Sequence, residues 1–218
     1  MTTRRDGLGR ATTTLMATLG AACASVQPEA DGWQVSRPDA ATTVRWQITE
    51  ITDDHGASVL RIHDEAETTV DASIDGAIAV FLNVPCHTQF LGVVESRIIK
   101  EIAADQWLVY SFVDNPWPIE DADRVSELTQ GRDESSGAIT FNFVATPDAW
   151  PAQAVQRQRF FNVTYTLTAL GDGRMHLREE GESTPPVAVP RWLVESAFPG
   201  VAFNSIRKLA SLIEGKKP

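Results

Sequence analysis

A proline on either side of Trp117 leaves the chain few ways to run through Asn115-Pro116-Trp117-Pro118-Ile119-Glu120-Asp121. Each proline fixes φ, lacks an amide donor and biases the residue before it away from helix. Residues 116–118 therefore read as a rigid, extended corner that cannot lie inside a sheet. The runs on both sides alternate apolar and polar residues in the manner of strands, so the corner joins two strands.

Most of the chain follows that pattern. Strands are expected over 43–51 and 58–70, separated by the turn-forming Asp53-Asp54-His55-Gly56. Asp71-Ala72-Ser73 caps a short helix that runs to about Leu82, with Ile74, Ile78 and Phe81 on one face, before Pro85 ends it. Strands follow over 93–102 and 106–113, where Leu108, Tyr110 and Phe112 share one face and Trp107, Val109 and Ser111 the other. After the corner come 124–130 and 138–145, the latter with Ile139, Phe141 and Phe143 on one side. A last pair, 155–169 and 174–182, is joined by the tight Gly171-Asp172-Gly173. Pro185 and Pro186 stop the sheet, and Pro190 opens a helix that Pro199-Gly200 must kink or divide. Phe203, Ile206, Ala210 and Ile213 then form an apolar stripe at helical spacing. One curved antiparallel sheet holding a C-terminal helix buries both apolar faces, an α+β arrangement.

The first residues differ from the rest. Arg4, Arg5 and Arg10 precede a small-residue apolar stretch up to Ala24, the order of an export signal over 1–24, with 25–31 a linker and 32–214 a single domain. Cleavage after Ala24 competes with acylation of Cys23 as a lipoprotein; a twin-arginine reading of Thr3-Arg4-Arg5 has a poor continuation in Asp6-Gly7. Either route leaves Cys86 without a partner, which excludes a disulfide framework. The formal charge of −10 becomes −12 once Arg4, Arg5, Arg10 and Asp6 are removed, a net loss of +2. Such a surface repels phosphate backbones, so nucleic acid is no partner.

The order of elements, with VESRII at 94–99, PWPIEDADRV at 116–125, LGDGR at 170–174 and VPRWLVES at 189–196, resembles the START domains, the lipid-transfer modules related to the steroidogenic acute regulatory protein. The resemblance covers residues 32–213 and is closest to small exported bacterial members. It implies a helix-grip fold, a curved antiparallel sheet wrapped around a long, kinked C-terminal helix, enclosing a tunnel for one lipid, sterol or similar hydrophobic molecule. The expected protein is a monomeric, non-enzymatic carrier without cofactor or metal, periplasmic or otherwise exported, with transient membrane contact.

Alternation and family position together place Phe90, Leu108, Tyr110, Phe112, Trp117, Phe141, Phe143, Tyr165, Trp192 and Phe203 among the ligand-binding candidates, with ordinary core packing the competing explanation for each. Two departures from the family bear on the ligand. Phe90 and Gly92 stand where a tryptophan and a proline are usual. In animal relatives a buried acid at the position of Glu95 faces a base on the strand after the corner, and here that base falls on Leu128. Glu95 must then pair elsewhere, with Arg97 nearest and Arg159 or Arg178 as alternatives, reach solvent, or meet a polar ligand head.

Signs of an enzyme are sparse. The four histidines, at 55, 63, 87 and 176, belong to no HExxH, and there is no GxSxG or phosphate loop. His63-Asp64-Glu65 cannot converge on a metal because adjacent strand residues alternate faces. The alternatives are a cyclase- or hydrolase-like helix-grip enzyme using Glu95 or Tyr110 as acid or base, and an envelope interaction module.

Overall fold

The computed structural model describes residues 26–29, 32–37, 39–53, 56–115 and 119–216. The stretch expected to be an export leader, with Cys23, and the corner residues Pro116, Trp117 and Pro118 lie outside them. What flanks the corner is visible: Asn115 donates its backbone N–H to Asp121 Oδ1 (3.1 Å) and its side-chain amide to the Glu120 carbonyl (2.8 Å), clipping the two sides together.

The strands are β1 (Val26–Pro28), β2 (Gln34–Ser36), β3 (Thr43–Thr52), β4 (Ser58–Val70), β5 (Glu95–Ala103), β6 (Gln106–Val113), β7 (Ala122–Arg132), β8 (Ile139–Ala145), β9 (Gln156–Arg157), β10 (Phe161–Gly171) and β11 (Arg174–Ser183). Two helices complete the fold, α1 (Ile74–Leu82) and α2 (Arg191–Ile213), with short 3-10 turns at Val84–Gln89 and Pro147–Ala149. Ten strands form one curved sheet in the order β1-β2-β3-β4-β11-β10-β8-β7-β6-β5, each pair antiparallel, while β9 lies parallel to β7. β11 lies between β10, its hairpin partner, and β4, so the last strand joins the N-terminal and central strands into one sheet. Gly171, Asp172 and Gly173 all have positive φ at the β10–β11 turn, which explains the two glycines there.

Most expected strands are present. The run 155–169 is split into β9 and β10, since Arg157 is drawn away to Asp123 and to the carbonyls of Pro147 and Trp150. Val26–Pro28, from the stretch expected to be linker, forms an edge strand against β2. Pro199 stands inside α2 without dividing it.

Strand alternation sends one set of side chains inward, under the helices. The inner set includes Val44, Trp46, Ile62, Ala66, Leu128, Phe141, Phe143, Tyr165, Met175 and Leu177, packed against Ala77 and Phe81 of α1 and against Ala202, Ile206, Leu209, Ala210 and Ile213 of α2. A smaller cluster, Leu108, Tyr110 and Val125 with Ile99, Phe112 and Trp150, lies on the opposite face of β5, β6 and β7.

Candidate functional site

The inner face is filled unevenly. At one end α1 and the turn after it insert Phe81, His87 and Phe90 into the concavity. Phe81 stacks on Phe141 at 4.4 Å between ring centroids and meets Tyr165 at 5.0 Å, while His87 lies edge-on to Phe143 at 5.5 Å. Aromatic rings at these separations attract beyond their area of contact, so this end is close-packed core. Here the structure places the candidates Phe90, Phe141, Phe143 and Tyr165, all buried.

α2 buries side chains fully only in its second half, while Val194 and Phe198 before the proline are partly buried against the core. No residue of α2 before Ala202 is buried, and Trp192 is 68% exposed. The change falls at Pro199-Gly200, where the proline has no amide to donate to the turn before it. The first turn is held to the sheet edge by Arg191, whose Nη2 donates to the Ile48 carbonyl at 2.9 Å. Beside this stretch are two concavities. One of about 380 Å³ runs between Trp46, Ile48, Arg191, Glu195 and Pro199. The other, about 970 Å³, lies between the β3–β4 tip and the segment leading into α2, and includes Leu60, Arg61, Phe160, Thr184 and Val189. Phe203, beyond the proline, is half-buried against the core with the Arg207 guanidinium 6.0 Å from its ring.

Five of the residues expected at the ligand, Leu108, Tyr110, Phe112, Glu95 and Arg97, lie elsewhere. Leu108, Tyr110 and Phe112 turn to the outer face, and the parity that meets the core is Trp107 and Val109. Both parities of β6 are apolar because the outer one is covered too, by the segment carrying Trp150. That segment is fastened by a buried ion pair in which Arg157 donates Nη2 and Nε to the two oxygens of Asp123 at 2.6 and 2.9 Å. Glu95 is not a buried acid; it pairs on the surface with Arg97 at 2.8 Å, and the Arg97 guanidinium lies 4.8 Å from the Tyr110 ring. Arg178 and Arg159 pair with other acids, Glu180 and Asp148. Trp117 lies outside the described residues.

The interior holds polar groups that sequence reasoning missed. Asp64 and Glu179, both inward, sit diagonally across β4 and β11, since Asp64 pairs with Gly181 and Glu179 with Ala66. A Cβ on Gly181 would come within 2.7 Å of Asp64 Oδ1, so any other residue there would force that carboxyl to shift. Burial pushes both acids up, and the neighbouring charge of Glu65 on Asp64, and of Asp64 on Glu179, pushes further. Tyr165 faces Glu179 across β10 and β11, and its hydroxyl is raised well above its ordinary value by burial and by these acids. Among the described residues neither Tyr165 Oη nor Glu179 Oε2 has a partner that meets hydrogen-bond geometry.

On β7, Arg124 also points inward. It is 7% exposed, its guanidinium stacks over Phe161 at 3.5 Å, and Nε donates to Gln158 Oε1 at 2.9 Å. No carboxylate pairs with it among the described residues, and burial lowers its pKa to about 10. A desolvated cation–π contact contributes about 2 kcal/mol, against a desolvation penalty of several kcal/mol for a buried ion. The period-two pattern showed which strand carries Arg124; it could not show which side of β7 faces α2. His63 and Glu65 flank Asp64 on the outer face: His63 packs on Trp33 at 4.7 Å and Glu65 meets Arg45 at 3.4 Å. Among the described residues no group of three His, Cys, Asp or Glu could hold a metal ion.

No protein-family model matches the sequence. An uncharacterised protein of Pseudomonas aeruginosa is 27% identical over 121 residues, which are 55% of this chain; the chain spans only 59% of that relative's length. Solved structures are similar over most of the chain. The STAR-related lipid transfer protein (fragment 25–204) of Xanthomonas axonopodis superposes with a TM-score of 0.69 at 22% identity, covering 84% of this chain and 99% of that one. Human StAR-related lipid transfer protein 5 gives 0.64 at 17% identity, over 86% of this chain and 88% of that one. The Zhui aromatase/cyclase of Streptomyces sits further off, at 0.50 and 16% identity over 71% of this chain and 94% of that one. The chain therefore has the helix-grip fold of the STAR-related lipid-transfer domains.

Proposed function

We propose that this protein binds one hydrophobic molecule of lipid or sterol type, without chemical turnover, between the concave sheet and the first half of α2. The observation that carries the reading is the uneven grip of that helix: its second half is buried, its first half reaches the core only through the partly buried Val194 and Phe198, and the two concavities open beside that first half. Cavities of roughly 300–1,000 Å³ take small hydrophobic ligands. Moving such a ligand out of water contributes about 25 cal/mol per Å² of apolar surface. The lipid-transfer fold supports the same reading. With an export leader ahead of it, the protein would carry its ligand in the bacterial envelope as a monomer that meets membranes transiently.

An enzyme built on Glu95 or Tyr110 finds no support in the arrangement, because both face outward on β5 and β6, away from the two concavities. Transfer of a fluorescent phospholipid or sterol between vesicles tests the proposal. Acceleration proportional to protein concentration is expected. Transfer at the spontaneous rate, together with no saturable uptake of either probe, would overturn it.

A further inference from the structure

Resting on the reading above, we infer that Arg124 anchors the head group of the ligand, and that this head group is a carboxylate on an otherwise apolar body. Three observations converge on it. First, the guanidinium is buried and, among the described residues, meets an uncharged amide oxygen and an aromatic face, with no carboxylate there to balance its charge. Second, Arg124 ends a row of inward polar groups that runs across three strands: Ser96 faces Ser111, and Ser111 faces Arg124. Ser96 and Ser111 are buried and lie 3.4 Å apart through their hydroxyls, a long contact that leaves a hydroxyl free to turn toward an incoming acceptor. Third, the row is connected to the larger concavity. Gln158, which accepts from Arg124, donates its amide to the Thr184 carbonyl at 2.7 Å, and Thr184 lines that concavity. Arg124 thus stands one hydrogen-bonded residue behind the wall.

Charge decides between acidic groups. A single buried guanidinium neutralises one negative charge, and its planar fork matches a carboxylate bidentately. A phosphate dianion would leave net charge in the interior, where Asp64 and Glu179 already resist ionising. The apolar body would extend from Phe161 along Ile62 and Ile48, which lie in register across the inner face, toward the first half of α2.

Binding of a fluorescent polyene fatty acid and of the alcohol of the same chain tests the inference on the wild type alone. The acid should bind at least about tenfold more tightly, the size of one charge-assisted hydrogen bond. In Arg124→Gln the preference should vanish while the alcohol binds as before; Ser111→Ala, a milder change, should reduce it a few-fold. Equal binding of acid and alcohol to the wild type, or a preference that survives in a folded Arg124→Gln protein, would overturn the carboxylate assignment and leave lipid binding standing. If neither probe binds, and sterol and phospholipid probes fail too, both readings fall.

Discussion

His87 shows how far the interior overrides a side chain's ordinary chemistry. It is fully buried, its Nε2 lies 2.8 Å from the Phe81 carbonyl, and burial lowers its pKa to about 4 despite that bond. The neutral ring donates from Nε2. The His87 ring signal in an NMR titration should not shift between about pH 5 and 8; a midpoint near the ordinary value of about 6.5 would contradict the packing described. Asp64 and Glu179 give the opposite sign. Their folded pKa values are raised, so stability is full below the ordinary carboxylate range and is lost as pH climbs through the folded values toward and past neutrality. Asp64→Asn cannot ionise, and it also relieves Glu179 of a like charge. Relative to wild type it should gain about 1–3 kcal/mol, roughly 2–10 °C in Tm, on going from about pH 5 to about pH 9. A gap that does not change with pH, measured by thermal unfolding, would show that the acids are not held protonated. Neither effect was legible in the sequence. His63-Asp64-Glu65 looks like a surface cluster until β4 is placed between β3 and β11.

The two halves of α2 carry the functional argument at the scale of elements. Ser205 donates to the Phe90 carbonyl at 2.7 Å and Glu214 accepts from the Asp71 amide at 3.0 Å, so the second half is tied to α1 and the turn after it. The first half is tied by Arg191 to the edge of β3 and touches the core through the partly buried Val194 and Phe198. Amide hydrogen exchange should therefore separate them: residues 193–198 should exchange at least about a hundredfold faster than 206–213, and ligand should slow the first set. Uniform protection along α2 would remove the opening that binding requires. The sequence located the helix, its apolar stripe and the proline, because helical spacing is local. It could not orient β6, where Trp107 and Val109 alternate with Leu108 and Tyr110 and both faces are apolar. Only the covering segment with Trp150, held by Asp123 and Arg157, distinguishes inner from outer, and that contact spans more than 30 residues of chain.

At the scale of the whole molecule, the sheet order and the α+β architecture follow from strands and turns that the sequence displays, and the family motifs fix their sequence in space. The proline corner belongs to this level: it identifies the fold while the groups most suited to hold a ligand, Arg124 above all, lie on the strand after it. An acidic chain of 218 residues with a large concavity beside a helix fully buried only in its second half should purify with cargo. Native mass spectrometry of the protein expressed in a bacterial host reads this directly. A one-to-one adduct of roughly 200–800 Da, lost after organic extraction and restored by adding a long-chain fatty acid, is the predicted result; the bare chain mass before and after incubation with fatty acid, phospholipid and sterol would contradict the account.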